Sequence, residues 1–293
     1  MPVTTNKHLN HCMISDYRCF FCFARAIEKL IERENLTPAQ KNTITSQMVE
    51  LYHQSWHDFS APAFSRELHK ALRQHTQNPD PYKDAKQRSN DLVLSLYPEL
   101  KQQVLKSDSP FDTALRLAIG GNIIDLAVFD EFDLPGTMHQ VLNTDFALND
   151  SARLKEELSN AQSVLYLGDN AGEIVFDKLF VETIMHPNLT YAVRGNNIVN
   201  DATMHDAHYV GMDSVADLIS NGYDAPSTIF EHCSPQFQEL FMKADVIIAK
   251  GQGNLEGLYG HSPKPFYSLL MVKCQVVADA LKVRKGGFVV KKL

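Results

Sequence analysis

Three short polar segments of the sequence contain the residue types that metal-dependent hydrolysis requires. Asp169 and Asn170 supply a carboxylate and an amide oxygen, and Asp201 supplies a second carboxylate. Hard divalent cations such as Mg²⁺ and Mn²⁺ bind oxygen ligands of this type and usually keep several waters. A site of two Asp and one Asn leaves positions for a phosphate oxygen and for an attacking water. Each residue alone is equally typical of a turn or a helix cap.

The third segment, Lys250-Gly251-Gln252-Gly253-Asn254, adds a cation and two glycines. The glycines let backbone N–H groups approach an oxyanion closely, and the lysine supplies a point charge suited to phosphate. The segment lacks the order of a Walker A loop and is not a dinucleotide fingerprint. A glycine-rich turn beside a solvated lysine is the alternative interpretation.

Short apolar runs, typical of buried strands, precede these polar segments. They cover residues 163–167, 190–194 and 245–249, with two further candidate strands at 269–272 and 288–290. Residues 171–185 predict a helix after the first strand. Strands that alternate with helices indicate a mostly parallel sheet covered on both faces. Ligands bind at the carboxyl ends of such strands, so we expect all three segments at one edge of the sheet.

The first half of the chain shows helical periodicity and almost no strand signal before residue 148. Helices are predicted around residues 23–31, from Thr37-Pro38 onward, and over residues 90–105 and 111–128. We therefore predict two domains, a helical one at residues 1–155 and an α/β core at residues 156–293.

Composition and charge exclude several classes of protein. The 293 residues carry a formal net charge of −7, which argues against holding nucleic acid or anionic membrane by bulk electrostatics. No stretch approaches the roughly 18 consecutive apolar residues of a membrane span, and the N-terminus has no signal-peptide pattern. Five cysteines are sparse for a disulfide scaffold, so a cytoplasmic location is expected.

The polar segments, taken in order, resemble the DUF89 family of ARMT1-like damage-control phosphatases. The residues that carry the resemblance are Gly168-Asp169-Asn170-Ala171-Gly172-Glu173, Arg194-Gly195, Asn200-Asp201-Ala202-Thr203 and Lys250-Gly251-Gln252-Gly253-Asn254-Leu255-Glu256. Two segments of the first half look like the CxxC-bearing prokaryotic branch, namely Cys19-Phe20-Phe21-Cys22 and Gly121-Asn122-Ile123-Ile124-Asp125. The resemblance covers roughly residues 15–290, and its specificity comes from the combination.

This resemblance implies a Rossmann-like three-layer α/β/α core with an N-terminal all-helical domain. It implies metal-dependent hydrolysis of phosphate esters of small metabolites such as sugar phosphates, with Mn²⁺, Co²⁺, Ni²⁺ or Mg²⁺. We expect a metal-bound water as nucleophile. By carry-over, Asp169, Asn170 and Asp201 are the metal ligands, and Asp169, Asp201 and Lys250 form the catalytic set. The expected substrate contacts are Lys250, Gly251, Gly253, Asn254, Glu256, Arg194 and Asn122.

Several polar residues keep two interpretations. Arg194 either contacts phosphate or only holds a carboxylate such as Glu173, which is itself expected as a helix-start residue. Asn122 and Asp125 either close the pocket from the helical half or form a satisfied buried pair. His205, Asp206 and His208 either add a ligand or a general acid, or are exposed or capping residues.

The cysteines also keep more than one interpretation. Cys19 and Cys22 are half of a zinc-ligand pattern, but no second CxxC or suitable His pair completes it. They are equally consistent with two small buried residues on a helix. Cys274, in an apolar stretch, is expected in the core.

Two other enzyme classes and one binding function compete with the phosphatase hypothesis. A haloacid-dehalogenase-type enzyme requires Asp-x-Asp after the first strand, and Asp169-Asn170-Ala171 lacks the second aspartate. A methyltransferase shares the Rossmann-like order, but this loop is too short and too acidic for its cofactor. A non-catalytic module that binds nucleotides or sugar phosphates would use the same loops. The physiological substrate, the native metal and the oligomeric state stay open.

Overall fold

The computed structural model describes residues 16–55, 60–121 and 134–293. In these residues the strands are β1 (Phe146–Asn149), β2 (Val164–Leu167), β3 (Leu189–Val193), β4 (Asp217–Ser220), β5 (Val246–Lys250), β6 (Tyr267–Met271) and β7 (Phe288–Lys292). They form one sheet with the order β1-β7-β6-β5-β2-β3-β4. Strands β2 to β6 run parallel, whereas β7 is antiparallel to β6 and β1 is parallel to β7.

The α-helices of the described residues fall into two series. The first six are α1 (Tyr17–Arg33), α2 (Pro38–Ser55), α3 (Ala61–Thr76), α4 (Lys83–Lys106), α5 (Pro110–Gly120) and α6 (Leu134–Asn143). The others are α7 (Ser151–Asn160), α8 (Glu173–Ile184), α9 (Met204–Tyr209), α10 (Pro235–Lys243), α11 (Gly251–Leu258) and α12 (Gln275–Leu281). Among them, none combines the length and the apolar character that crossing a membrane requires.

Local sequence explains where several helices begin. Asp16 and Ser234 occupy the N-cap positions of α1 and α10, and their side chains accept hydrogen bonds from first-turn N–H groups. Proline stands at the start of α2, α5 and α10, where its missing N–H costs nothing. The helix predicted to start at Thr37-Pro38 is present as α2. The helix predicted at residues 171–185 is present as α8.

Side chains of the central strands alternate between two hydrophobic clusters. In β2, Tyr166 joins a cluster with α4, α5 and α8, whereas Leu165 and Leu167 join a second cluster with α10, α11 and α12. In β5, Ile248 belongs to the first cluster and Ala249 to the second. Helices thus cover both faces of a mostly parallel sheet, and the α/β fold class is confirmed.

The first three helices have a core of their own. It consists of Ile27, Leu30, Ile31, Ile44, Met48, Phe64, Leu68 and Leu72. Helices α4 and α5, in contrast, belong to the cluster on one face of the sheet, where Phe111 of α5 packs edge-on against Phe180 of α8. The helical half is therefore joined to the sheet through α4 and α5.

The structure contains two strands, β1 and β4, that the sequence did not predict. Strand β1 lies at residues 146–149, in the half expected to have almost no strand signal, and β4 lies at residues 217–220. Both are the outermost strands of the sheet, have only four residues each and are only partly buried, so neither shows the continuous apolar run of a buried strand. Helix α5 ends at Gly120, and residues 122–128 of the helix predicted at 111–128 lie outside the described residues. The domain boundary at residue 155 stays a prediction.

Candidate active site

The loops after β2 and β3 are joined directly to each other at the carboxyl edge of the sheet. The N–H of Ala202 donates to the carbonyl of Asp169 at 2.8 Å, and the N–H of Ala171 donates to the carbonyl of Asn200 at 2.9 Å. Asn170 and Asp201 form an isolated β-bridge between the two loops. The structure therefore brings Asp169, Asn170 and Asp201 together, as the strand-end argument predicts.

A buried arginine links the two aspartates; we call Arg194, Asp169, Asp201 and Asn254 the Arg194 cluster. Nε of Arg194 donates to Asp201 at 2.5 Å, and Nη2 donates to Asp169 at 3.2 Å. Its Nη1 donates to Asn254 at 2.8 Å. Arg194 thus holds both aspartates and not Glu173, the carboxylate that the sequence suggested.

Lys250 is the centre of a second buried group, the Lys250 cluster, which contains Glu173, Asp177, Tyr166 and Tyr191. Its ammonium donates to Glu173 at 2.7 Å and to Asp177 at 2.5 Å. The hydroxyls of Tyr166 and Tyr191 donate to the two oxygens of Asp177, at 2.9 and 2.8 Å. In this arrangement the lysine stabilises two carboxylates of α8, and its role as a phosphate contact stays a prediction.

Asn170 connects the two clusters. Its amide nitrogen donates to Asp169 at 3.1 Å and to Glu173 at 3.2 Å. The amide nitrogen is thus held between one carboxylate of each cluster.

Burial perturbs the acids of both clusters. Burial, and then the charges of Asp201 and Glu173, raise the pKa of Asp169 well above its ordinary value. Burial also raises the pKa of Asp201, although Arg194 acts in the opposite direction. Burial raises the pKa of Asp177 to about 6. For Lys250, burial acts to lower the pKa, but Asp177 and Glu173 outweigh it and raise the pKa.

The glycines after β5 lie against the aspartates. Gly251 has φ +78°, and a Cβ atom there would overlap the carboxylate of Asp169. A Cβ atom on Gly253 would overlap the carbonyl of Pro226, while Asp169 Oδ1 lies 3.9 Å away. Asn254 donates to the carbonyls of Gly168 and Lys250, at 3.0 and 2.7 Å, and so ties this loop to the loop after β2.

Some candidate residues do not converge on the aspartates. Glu256 lies on α11 and accepts a hydrogen bond from Gln252 at 2.8 Å, and burial raises its pKa to about 7. His205 and His208 are exposed, whereas Asp206 is buried and forms a capping box with Thr203. Asn122 and Asp125 lie outside the described residues.

The cysteines of the described residues carry free thiols. Cys22 is exposed and Cys19 is half-buried, so the interpretation of two small buried residues is wrong for Cys22. Cys274 is half-buried at the N-cap of α12, where Gln252 donates to its sulfur at 3.4 Å, so the expectation of a core residue is also wrong.

Two charged residues of the site were not predicted. Asp177 lies one helical turn after Glu173, so the i, i+4 spacing on α8 was the available signal. Lys273 follows β6, and its charge lowers the pKa of Asp169. The same strand-end argument, applied to the strand predicted at residues 269–272, would have found it.

The donor set fits a divalent cation by charge. Four buried carboxylates, those of Asp169, Asp201, Glu173 and Asp177, share two buried cations, Arg194 and Lys250. A further positive charge would therefore stabilise the ionised aspartates. Within residues 16–55, 60–121 and 134–293, no three His, Cys, Asp or Glu side chains converge as a metal site. The predicted ligand set contains two such side chains, Asp169 and Asp201, and the amide of Asn170 as its third member.

Comparisons with known proteins agree with this architecture. The profile of the damage-control phosphatase ARMT1-like domain matches residues 15–289. The damage-control phosphatase PH1575 of Pyrococcus horikoshii is 33% identical over 93% of this chain and 96% of its own length. A damage-control phosphatase of Archaeoglobus fulgidus is 37% identical over 72% of this chain and 75% of its own.

A solved structure extends the likeness to three dimensions. The crystal structure of PH1575, described as a DUF89 family protein, has a TM-score of 0.84 and 30% identity, and the match covers 95% of this chain and 98% of that one. Both the sequence match and the structural match extend over the helical half as well as the α/β core. The chain therefore belongs to the damage-control phosphatase family with the ARMT1-like domain.

Proposed function

We propose that the protein is a metal-dependent phosphatase that hydrolyses phosphate monoesters of small metabolites at the Arg194 cluster. The observation that supports it most directly is the meeting of Asp169, Asn170 and Asp201 at the carboxyl edge of the sheet. The names of the relatives from Pyrococcus horikoshii and Archaeoglobus fulgidus support the same reaction class.

Asp169, Asn170 and Asp201 would hold a divalent cation such as Mn²⁺, Co²⁺, Ni²⁺ or Mg²⁺. When bound, such a cation supplies Lewis acidity and makes water a nucleophile at neutral pH. Arg194 holds both aspartates in place and limits their rotation. The raised pKa values of Asp169 and Asp201 mean that both acids gain from a cation that stabilises their charged forms.

Two lysines are candidates for contacting the phosphoryl group. Lys250 is fully buried and is bonded to Glu173 and Asp177. Lys273 is only partly buried, follows β6, and acts electrostatically on Asp169. Because its charge acts on Asp169, Lys273 is a second candidate, beside Lys250, for stabilising the negative charge of a phosphate ester at this position.

The test is phosphate release from p-nitrophenyl phosphate and from a panel of sugar phosphates. Protein stripped of metal is assayed before and after addition of Mn²⁺, Co²⁺, Ni²⁺ or Mg²⁺. Turnover is expected only with metal, and Asp169→Ala and Asp201→Ala are expected to abolish it while the circular dichroism spectrum stays unchanged. Undiminished turnover in both variants would contradict the ligand assignment. Tight phosphate binding without turnover of any ester would favour a non-catalytic binding module.

A further inference from the structure

A side chain of the helical half contacts the loop that carries Asp169 and Asn170, and it also contacts Asp206 of α9, the helix that follows Asp201. Asn90 lies on α4 and is buried. Its side-chain oxygen accepts the N–H of Gly172 at 2.7 Å, and its amide nitrogen donates to Asp206 at 3.1 Å. Gly172 belongs to the loop of Asp169 and Asn170, and Asp206 follows Asp201. One amide group of α4 thus joins the loop of Asp169 to the first turn of α9.

Asp206 is in turn hydrogen-bonded to Thr203, in the loop that carries Asp201. Its Oδ2 accepts hydrogen bonds from the N–H and the hydroxyl of Thr203, at 2.9 and 2.8 Å. The ammonium of Lys86, also on α4 and buried, donates to the same oxygen at 3.1 Å. Thr203 is two residues from Asp201, so the position of Asp206 fixes the backbone that presents this aspartate.

Gly172 is itself part of the loop that carries Asp169, and it packs closely against α4. It has φ +77°, and a Cβ atom at this position would overlap Ser89 of α4. The helix therefore lies directly on the loop backbone. A primary amide can accept from Gly172 and donate to Asp206 at the same time, which a carboxylate or an aliphatic side chain of similar size cannot do.

We propose that Asn90 is a positioning residue for the metal site, which sets the placement of Asp169 and Asn170 relative to Asp201. This inference rests on the proposed function, because it assumes that these residues bind a divalent cation. Asn90 acts through Gly172 and Asp206 and touches no ligand itself. Groups that orient metal ligands from outside typically contribute about 10–100-fold to metal affinity. The helical half then contributes to the metal affinity of the site.

The test measures Mn²⁺ binding to the full-length protein by isothermal titration calorimetry. Asn90→Ala is expected to raise the Kd for Mn²⁺ by about tenfold or more. The matched control is Asp91→Ala, because Asp91 is exposed on the same helix and contacts α9 through the hydroxyl of Tyr209 at 2.5 Å. The control is expected to keep the wild-type Kd. If Asn90→Ala fails to fold, Asn90→Ser replaces it with the same expectation.

A second readout separates positioning from general destabilisation. Hydrogen exchange is expected to accelerate in peptides that cover residues 168–172 and 201–206 in the Asn90 variant, with little change in β5 and β6. A uniform increase throughout the protein, or a wild-type Kd in a folded Asn90 variant, would overturn the proposal. So would a wild-type protein that binds no Mn²⁺. If the wild type binds Mn²⁺ but hydrolyses no ester, the proposed function fails while the role of Asn90 stands.

Discussion

The Arg194 and Lys250 clusters are both built around a fully buried cation with two carboxylate partners. Their cations lie at the ends of strands on the two sides of β2. The partners differ in kind: Arg194 contacts two loop aspartates, whereas Lys250 contacts two acids of one helix, α8. Two tyrosine hydroxyls complete the Lys250 cluster inside the core. The Arg194 cluster lies at the carboxyl edge of the sheet, where ligands bind to such sheets.

The two clusters also differ in how the charges of their buried acids are compensated. In the Lys250 cluster, burial raises the pKa of Asp177 to about 6, although the ammonium of Lys250 and the hydroxyl of Tyr191 act to lower this pKa. In the Arg194 cluster, burial and the neighbouring acids raise the pKa of Asp169 despite Arg194. The positive charge of Arg194 therefore does not fully compensate the negative charge of the aspartates in the Arg194 cluster. This is expected where an external cation binds.

Replacing Asp169 by asparagine should uncouple activity from stability. We expect Asp169→Asn to lower metal-dependent turnover more than about a hundredfold, since even groups outside the metal ligands contribute about 10–100-fold. Without metal, the free energy of unfolding at neutral pH should stay constant or rise. The pKa of Asp169 is raised in the folded state, so its ionised form destabilises the fold, and asparagine removes that charge. Urea denaturation beside steady-state kinetics measures both, and a large loss of stability would contradict the comparison.

Replacing Lys250 by methionine should have the opposite pattern. It leaves Glu173 and Asp177 buried without their cation, so we expect a loss of about 3–5 kcal/mol in the free energy of unfolding. Lys273→Met is the matched control at the neighbouring strand end, and it should raise KM for a phosphate ester with little loss of stability. Urea denaturation and steady-state kinetics decide. A stable Lys250→Met variant with a raised KM would instead support Lys250 as the phosphate contact.

The direction in which Lys250 points was accessible from the sequence in principle. Side chains alternate along a strand, so Lys250 lies on the face of Ile248, which packs against α8. The acids of α8 one turn apart, Glu173 and Asp177, were therefore available as partners. Arg194 follows β3 in register with Ala192, on the opposite face. Residue types and strand ends predicted which segments would meet, but assigning the faces required knowing on which side of the sheet α8 packs.

Other features of the site could not be predicted from the sequence. The contacts of Asn90 with Gly172 and Asp206 join residues more than 80 positions apart, through one amide on a helix with no distinctive motif. Strand β4 begins with an aspartate and is only partly buried at the edge of the sheet, so apolar runs do not reveal it. Such features depend on tertiary packing, which overrides local propensity.

Glu256 extends the comparison to a half-buried carboxylate whose described hydrogen bond comes from a neutral amide, that of Gln252. Burial raises its pKa from 4.5 to about 7. As the pH rises through this interval, the unfolded state releases the proton first, so the free energy of unfolding falls; above pH 7 the ionised acid costs a constant amount. Glu256→Gln keeps an oxygen that accepts from Gln252 and should be more stable than wild type at pH 8 by about 1–2 kcal/mol.

The measurement is urea denaturation of both proteins from pH 4 to pH 8. Below pH 4.5 the wild-type acid is largely protonated in both the folded and the unfolded state, so the two proteins should differ little in free energy of unfolding. The extra stability of Glu256→Gln should develop between pH 4.5 and 7 and stay constant above pH 7, where the wild-type acid is ionised in both states. Glu239→Gln is the matched control, since Glu239 is exposed, pairs with Lys243 and has a lowered pKa. It should gain no stability at pH 8. Parallel pH profiles for wild type and Glu256→Gln would mean that the folded protein compensates the charge of Glu256 and does not raise its pKa.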